Sequence, residues 1–542
     1  MRFFALIFAI AICAAHAYEG ECGTLNALLN SDKIKQNGYA ASLYRSGKCS
    51  YEQYYDSVYT IEKPHIQVFY VLNGPHATTK AFADSTASNM EAAWNLYVNQ
   101  LNMRAPQGPQ ITYHYQQNVK EGLYPIEILD IGQVRDPYGI YSCATCFGQT
   151  ILLESGTKTE ILLENDFYGS ATSSNARDTI YSNGDTCIYP IAKHTLNNST
   201  HGFSYADEWA KGIRLTSFHE FYHAVQLRYI SSIASNTAFW FEASATGYEE
   251  ITNPDIDDYF SYLPNVFSEM GIPLSTITKQ YTHKAYGVST LFLYLYHYVA
   301  KDIDKAIWEN YSKNPNKSFE VQLEAALKKY KIDADSLFHD YAVRLSFSGE
   351  RSNTISKKDW ICDDQDKWVS ANFYNVDSIK PQIESLSFMF YRSPNNYVEP
   401  DLNNFVGKAS IITFTEGKAE YHRIKNSKTL NSLTSVLSTS DSSLWVFSRL
   451  GDSESIPLVN NDAAPHAFPV PWREGSLCFA PLPRDKKFIE IRNRRGDLVS
   501  QEKYDGTSFC LQEDQVKKMM VPGIYRFRVG NKGKTTSFMV IY

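Results

Sequence analysis

The chain has 542 residues, 43% of them hydrophobic and 20% charged, with a net charge of −7 at pH 7. These are the values of a soluble globular protein long enough for about three domains. The negative balance excludes a basic footprint for nucleic acid, and 38 tyrosines beside 30 phenylalanines point to aromatic-rich sheets and polar-tipped pockets.

Residues 1–17 read as a secretory signal. Arg2 gives a positive start, Phe3 to Ala15 is apolar, and Ala15-His16-Ala17 is a small-x-small cleavage site. That run is too short for a permanent anchor, and no later segment is long enough for one, so the expectation is a secreted or cell-surface protein. Cys13 leaves with the signal. The eight cysteines that remain are Cys22, Cys49, Cys143, Cys146, Cys187, Cys362, Cys478 and Cys510, an even count that suits disulfides in an exported chain. Proximity favours Cys22–Cys49 and Cys478–Cys510. Cys143-Ala-Thr-Cys146 reads either as a redox or metal pair or, preferably, as two cysteines bonded elsewhere, with Cys187 a candidate partner.

Residues 18–63 form a short cap or propeptide-like segment. His65 to Leu72 has the pattern of a strand, Ala81 to Met103 of a helix around Met90, Trp94, Tyr97 and Leu101, and Ile126 to Ile131 and Thr159 to Leu163 of strands. The Gly/Ser/Asn-rich stretch 168–204 reads as loop. A helix follows from about Tyr205 to Ile230, then others at 238–251, 283–300, 302–313 and 317–345. Beyond about 350 come short alternating runs: Ser385 to Tyr391, Ala409 to Phe414, Leu444 to Phe447, Lys487 to Arg492, Ile524 to Val529 and Ser537 to Tyr542. Hairpin-type turns at Arg495-Gly496-Asp497 and Gly530-Asn531-Lys532-Gly533 accompany them. These runs predict one or two β-sandwich modules, divided as 351–465 and 466–542.

The chemistry concentrates at residues 219–223, His-Glu-Phe-Tyr-His, with Glu242 following after 18 residues. On a helix, positions i and i+4 share a face, so His219 and His223 form a chelate for one metal ion. Glu220, one step round, leans over a metal-bound water as general base. A catalytic zinc takes a third protein ligand and keeps one position open, and Glu242 is the best candidate. Leu215, Phe218, Tyr222 and Val225 recur at helical spacing, so the helix is buried and its polar groups need partners. Glu249, two turns beyond Glu242, is placed to accept the outer N–H of a ligating imidazole. Asp255, Asp257 and Asp258 are weaker ligand candidates, because Asn253-Pro254-Asp255 reads as a turn. His76, His114, His194 and His297 read as structural.

These residues resemble the gluzincin zinc metallopeptidases. The order His-Glu-x-x-His, then Glu, is similar to the aminopeptidase-type members, whose third ligand lies in Trp-x-x-Glu-Gly-x-Ala with another Glu seven positions on. Trp240, Glu242, Ala245 and Glu249 echo that stretch, with one residue fewer between Trp and Glu. The Gly-x-Met-Glu-Asn exopeptidase motif is absent upstream, which argues against amino-terminal specificity. A wider stretch, about 64–300, resembles secreted bacterial metalloproteases of myxobacterial type. It does so through His65 to Leu72, Ala81 to Met103, Ile126 to Tyr141, Asn165-Asp166-Phe167, Leu215 to Tyr229, Trp240 to Glu250 and Tyr286-Gly287.

The resemblance implies an α+β, multidomain fold. A zincin-like metallopeptidase domain over 64–350 would carry N-terminal strands, the active-site helix and a helical subdomain, with the C-terminal β-sandwich modules after it. It implies Zn2+ as cofactor, a protein or peptide substrate, and a downstream Tyr or His that stabilises the tetrahedral oxyanion; Tyr286 is the first choice and His283 the second. Phe488 to Val499, Pro522 to Val529 and the terminal strand resemble the C-terminal sorting modules of the type IX export route, which makes export machinery a candidate partner. The expected function is a secreted zinc-dependent endopeptidase. The alternatives are another zinc hydrolase (an aminopeptidase or deacylase) and a non-catalytic adhesin or binding protein on a degenerate peptidase scaffold.

Overall fold

A computed structural model of the chain describes residues 21–22, 24, 57–74, 76–131, 134, 146–153, 158–168, 177–182, 185–190, 203–230, 235–276 and 282–375. It further describes 379, 381–393, 400, 402, 405–424, 433, 437, 440–451, 466–468, 472–480, 482, 488–504, 508–530 and 535–542. The signal segment 1–17, most of the cap 18–63, Cys49 and Cys143 lie outside the described residues, and so does the expected Cys22–Cys49 pairing. The architecture is α+β with several sheets.

Six strands form the first sheet: β1 (Glu21–Cys22), β2 (Val58–Glu62), β3 (Ile66–Val71), β4 (Tyr124–Leu129), β5 (Cys146–Leu152) and β6 (Thr159–Glu164), in the order β1-β5-β6-β4-β3-β2. β3, β4 and β6 run parallel, β5 is antiparallel to β6, and β1 adds parallel to β5. β3 to β6 are buried along their whole length, as expected of strands covered on both faces. Alternate residues serve two cores. Val68 and Tyr70 face the main one with Phe221 and Tyr222, while Phe69 and Val71 join Leu129, Ile151 and Leu162 on the other side.

Helix α1 (Lys80–Trp94) is capped by Thr79, whose hydroxyl accepts from the Phe82 amide at 3.1 Å. It widens into a looser turn over Asn95–Gln100 and stops short of the predicted end, where Asn102 takes a positive φ of 53°. The stretch expected as loop holds a hairpin, β7 (Arg177–Ser182) with β8 (Asp185–Pro190); neither strand carries the apolar alternation that marks a strand in sequence.

The helical part comprises α2 (Trp209–Gln226), α3 (Ser235–Thr252), α4 (Leu263–Ser268), α5 (Thr282–Gly287), α6 (Ser289–Tyr298), α7 (Ile303–Lys313), α8 (Phe319–Leu327) and α9 (Ala334–Ser346). Two predicted helices are each divided. The first breaks at Val288. The second breaks where Lys331 adopts a left-handed φ of 57° and Asp333 caps the next helix through the Ser336 amide at 2.8 Å.

A second sheet, β9 (Tyr374–Asn375), β10 (Ser387–Ser393), β11 (Lys408–Thr415), β12 (Lys418–Ile424) and β13 (Ser442–Arg449), has the order β12-β11-β13-β10-β9. It is not half of a sandwich. Phe388, Phe390, Ile412 and Val446 on one face join the helical core, while Ile411, Trp445 and Phe447 on the other build a separate cluster. A true two-sheet sandwich follows. β14 (His466–Phe468), β15 (Leu477–Ala480) and β18 (Phe509–Leu511) pack against β16 (Phe488–Asn493), β17 (Leu498–Lys503), β19 (Gly523–Val529) and β20 (Thr535–Val540). The two share a core of Trp472, Phe479, Phe527 and Phe538. The expected Cys478–Cys510 disulfide is present and joins paired strands at a Cα–Cα distance of 4.0 Å.

His339 of α9 pins the second sheet to the helices. Its Nδ1 lies 2.7 Å from Ser448 Oγ and its Nε2 2.6 Å from Ser410 Oγ. Burial lowers its pKa to about 3, helped by Arg423 and Lys408, whereas an unfolded His titrates near ~6.5. Between those values the unfolded chain binds the extra proton, so stability falls as pH drops below the unfolded value. From pH 7.5 to pH 5.0 this group alone is expected to cost about 2 kcal/mol. Urea midpoints of wild type and His339→Gln at the two pH values test it. The variant should lose less on acidification, and an identical loss in both chains would refute the assignment.

Candidate metal centre

In the motif helix α2 every residue from Leu215 to Gln226, polar and apolar alike, is buried. Such a helix belongs in a core. Small residues let the neighbouring helices α3 and α6 pack closely on each other. In α3, a Cβ on Gly247 would lie 2.1 Å from Phe292 of α6, and Ala243, Ser244 and Ala245 flank that contact. Asp304 of α7 ties α2 and α3 together. It accepts from Tyr222 Oη on α2, from Trp240 Nε1 on α3 at 2.8 Å and from Trp308 Nε1 at 3.2 Å. Burial pushes its carboxyl up to about 7.

With α2 and α3 held so, three donors converge. His219 Nε2 and His223 Nε2 are 3.0 Å apart, and Glu242 Oε2 lies 3.1 Å from the first and 3.4 Å from the second. Four-coordinate zinc with bonds of about 2.0–2.1 Å sets its ligand atoms roughly 3.3 Å apart, so the triangle has the size of one face of such a site. His219, His223 and Glu242 are also the group of His, Cys, Asp and Glu side chains, among the described residues, that meets the spacing for a metal ion.

The outer atoms fix the inner lone pairs. Gln226 Nε2 donates to Phe241 O and Ser244 Oγ, each at 3.0 Å, so its Oε1 faces His223 Nδ1 at 2.7 Å. Nδ1 therefore carries the hydrogen, and Nε2 presents a lone pair to the centre. Glu249 Oε1 does the same for His219 Nδ1. Burial raises the Glu249 carboxyl to about 7 against the pull of His219. Burial would also raise Glu242, but the charges and hydrogen bonds of His223 and His219 outweigh it and hold it down to about 2. Among the described residues, the buried Glu242 Oε1 has no hydrogen-bond partner. Two ring nitrogens and a carboxylate oxygen thus crowd one buried point, an arrangement that suits a cation.

Glu220 is 1% exposed and faces β5. A Cβ on Gly148 would meet Glu220 Cγ at 2.5 Å, so only glycine lets the strand lie this close. Thr150 Oγ1 stands 2.8 Å from both the carbonyl and Oε2 of Glu220, and Thr24 Oγ1 donates to the same Oε2 at 2.9 Å. A narrow cleft of about 40 Å³ lies beside Glu220, lined by Phe147, Tyr205, His219, Glu220, Tyr262 and Tyr286 among others.

Tyr286 stacks at 6.2 Å from the His219 ring and at 4.9 Å on Tyr262. His283 packs edge-on against Tyr262 at 6.0 Å and does not line the cleft. Asp255 is bound by Arg214 at 2.7 Å. Asp257 lies 3.7 Å from Lys367, and Asp258 lines the cleft rather than the donor triangle. Cys146 is disulfide-bonded and Cys362 is a free thiol whose pKa burial pushes up to about 12. Gln226, Thr24, Thr150 and strand β5 escaped the sequence reading. Of these, Gln226 left a signal, its i+3 spacing from His223.

Among the described residues no helix is long and apolar enough to cross a membrane. No protein-family model and no curated protein matches the chain. Among solved structures, a stretch of it is similar to PorZ, described as an essential bacterial surface component of the type-IX secretion system of Porphyromonas gingivalis. That likeness has 18% identity and a TM-score of 0.14, and it covers 18% of this chain and 14% of that one. A match of this extent carries neither a fold nor a function across.

Proposed function

We propose that the chain is a zinc-dependent peptidase of zincin-like build that cuts internal peptide bonds. The observation that carries this reading is the convergence of His219 Nε2, His223 Nε2 and Glu242 Oε2 within 3.4 Å of one another beside a narrow cleft. These three side chains would hold the metal. Bound there, zinc supplies Lewis-acid polarisation of the scissile carbonyl and a water acidified towards a pKa of about 7. Glu249 and Gln226 keep the two imidazoles in the tautomer that offers Nε2.

Glu220 is the proton carrier. Its Oε2 is engaged by hydroxyls, so Oε1 takes the proton of the attacking water and later delivers it to the leaving amine. Tyr286, which lines the cleft beside His219, would donate to the developing oxyanion. The full chain, purified without chelators and incubated with a denatured protein, is expected to yield internal fragments. Cleavage should stop with 1,10-phenanthroline and return with zinc. A chain that holds about one zinc yet cleaves nothing would defeat the proposal, and release of single terminal residues alone would replace it with an aminopeptidase.

A further inference from the structure

Thr24 reaches the heart of this site. β1 pairs in parallel with β5, Glu21 opposite Cys146 and Cys22 opposite Gly148. Continuing that register by two residues brings Thr24 beside Thr150. Thr24 is fully buried. Its Oγ1 accepts the Thr150 amide at 2.6 Å and donates to Glu220 Oε2 at 2.9 Å. The second hydroxyl at that oxygen is less committed, because Thr150 Oγ1 has one proton and two acceptors on Glu220, each at 2.8 Å. Among the described residues no hydrogen bond reaches Glu220 Oε1.

We propose that Thr24 is a positioning residue for Glu220. Its hydroxyl anchors Oε2 and so aims Oε1 at the position of the attacking water. Thr24 is therefore a working part of the site rather than a blocking group to be removed. The kinetic side of this proposal rests on the hydrolase reading above; the placement of Thr24 does not. A carboxylate held by donors of fixed geometry stays aligned through the reaction, whereas one free to rotate loses rate out of proportion to the displacement.

The test compares Thr24→Val and Thr24→Ser with wild type in the full chain. Valine keeps the shape of threonine and removes the hydroxyl. Amide exchange at Thr150 is expected to accelerate at least tenfold in Thr24→Val, roughly the value of one lost hydrogen bond, with zinc content unchanged. The kcat should drop on the order of tenfold to a hundredfold with KM held. Thr24→Ser should restore both readouts, which a packing role for the side chain would not do. The proposal fails if wild type cleaves and Thr24→Val matches it, or if Thr150 exchange is unaffected. A Thr24→Val chain that cleaves faster than wild type would make Thr24 a blocking group and overturn it as well. A wild-type chain that cleaves nothing removes the hydrolase reading instead, and the exchange comparison then still decides where Thr24 sits.

Discussion

Replacing Glu220 by Gln is expected to leave the zinc content intact and to lower kcat/KM on the order of a thousandfold. The amide has the size of the carboxylate, and its oxygen can still accept from the Thr24 and Thr150 hydroxyls that hold Oε2. What it cannot do is carry a proton. Neither ring nitrogen of the donor set is touched, so metal analysis of the same sample should read as wild type. Hydrolysis within tenfold of wild type, measured on an internally cleaved peptide, would remove Glu220 from the reaction.

The second large effect concerns the metal itself. Glu242→Gln is expected to abolish tight zinc binding. The substitution keeps the volume but removes the negative charge that faces His219 at 3.1 Å and His223 at 3.4 Å. A ligand that binds only the folded chain stabilises it by about 4 kcal/mol when present at about a thousand times its Kd. Wild type should therefore melt markedly lower after chelation, and Glu242→Gln should melt at one temperature with or without a chelator. A chelator-sensitive melting point in Glu242→Gln would show that the stabilising ion binds elsewhere.

Much of the helical half was legible in local pattern. The period of Leu215, Phe218, Tyr222 and Val225 announced a buried helix, and α2 is one. The i, i+4 spacing of His219 and His223 brought their rings to one side, because helix geometry fixes that relation within one turn. Glu242 was legible as a lone acid between bulky and small residues, the mark of a second helix packed closely. Breaks inside the longer helical stretches were not legible, since one left-handed residue such as Lys331 leaves the apolar period on either side intact. The second sheet resembled sandwich strands because alternation reports that two faces differ, not what covers them. Here α9 covers one of them.

The sequence by itself determined which atoms could meet a metal and which residue could move a proton, because those relations are set within a helical turn or by residue chemistry. Only the tertiary structure decided how these groups are held. Thr24 meets Glu220 across 196 residues and Thr150 meets it across 70, through a glycine strand whose role depends on what lies against it. Hydrogen bonds between distant segments follow from sheet order and register, and those arise only when the whole chain buries its apolar surface at once.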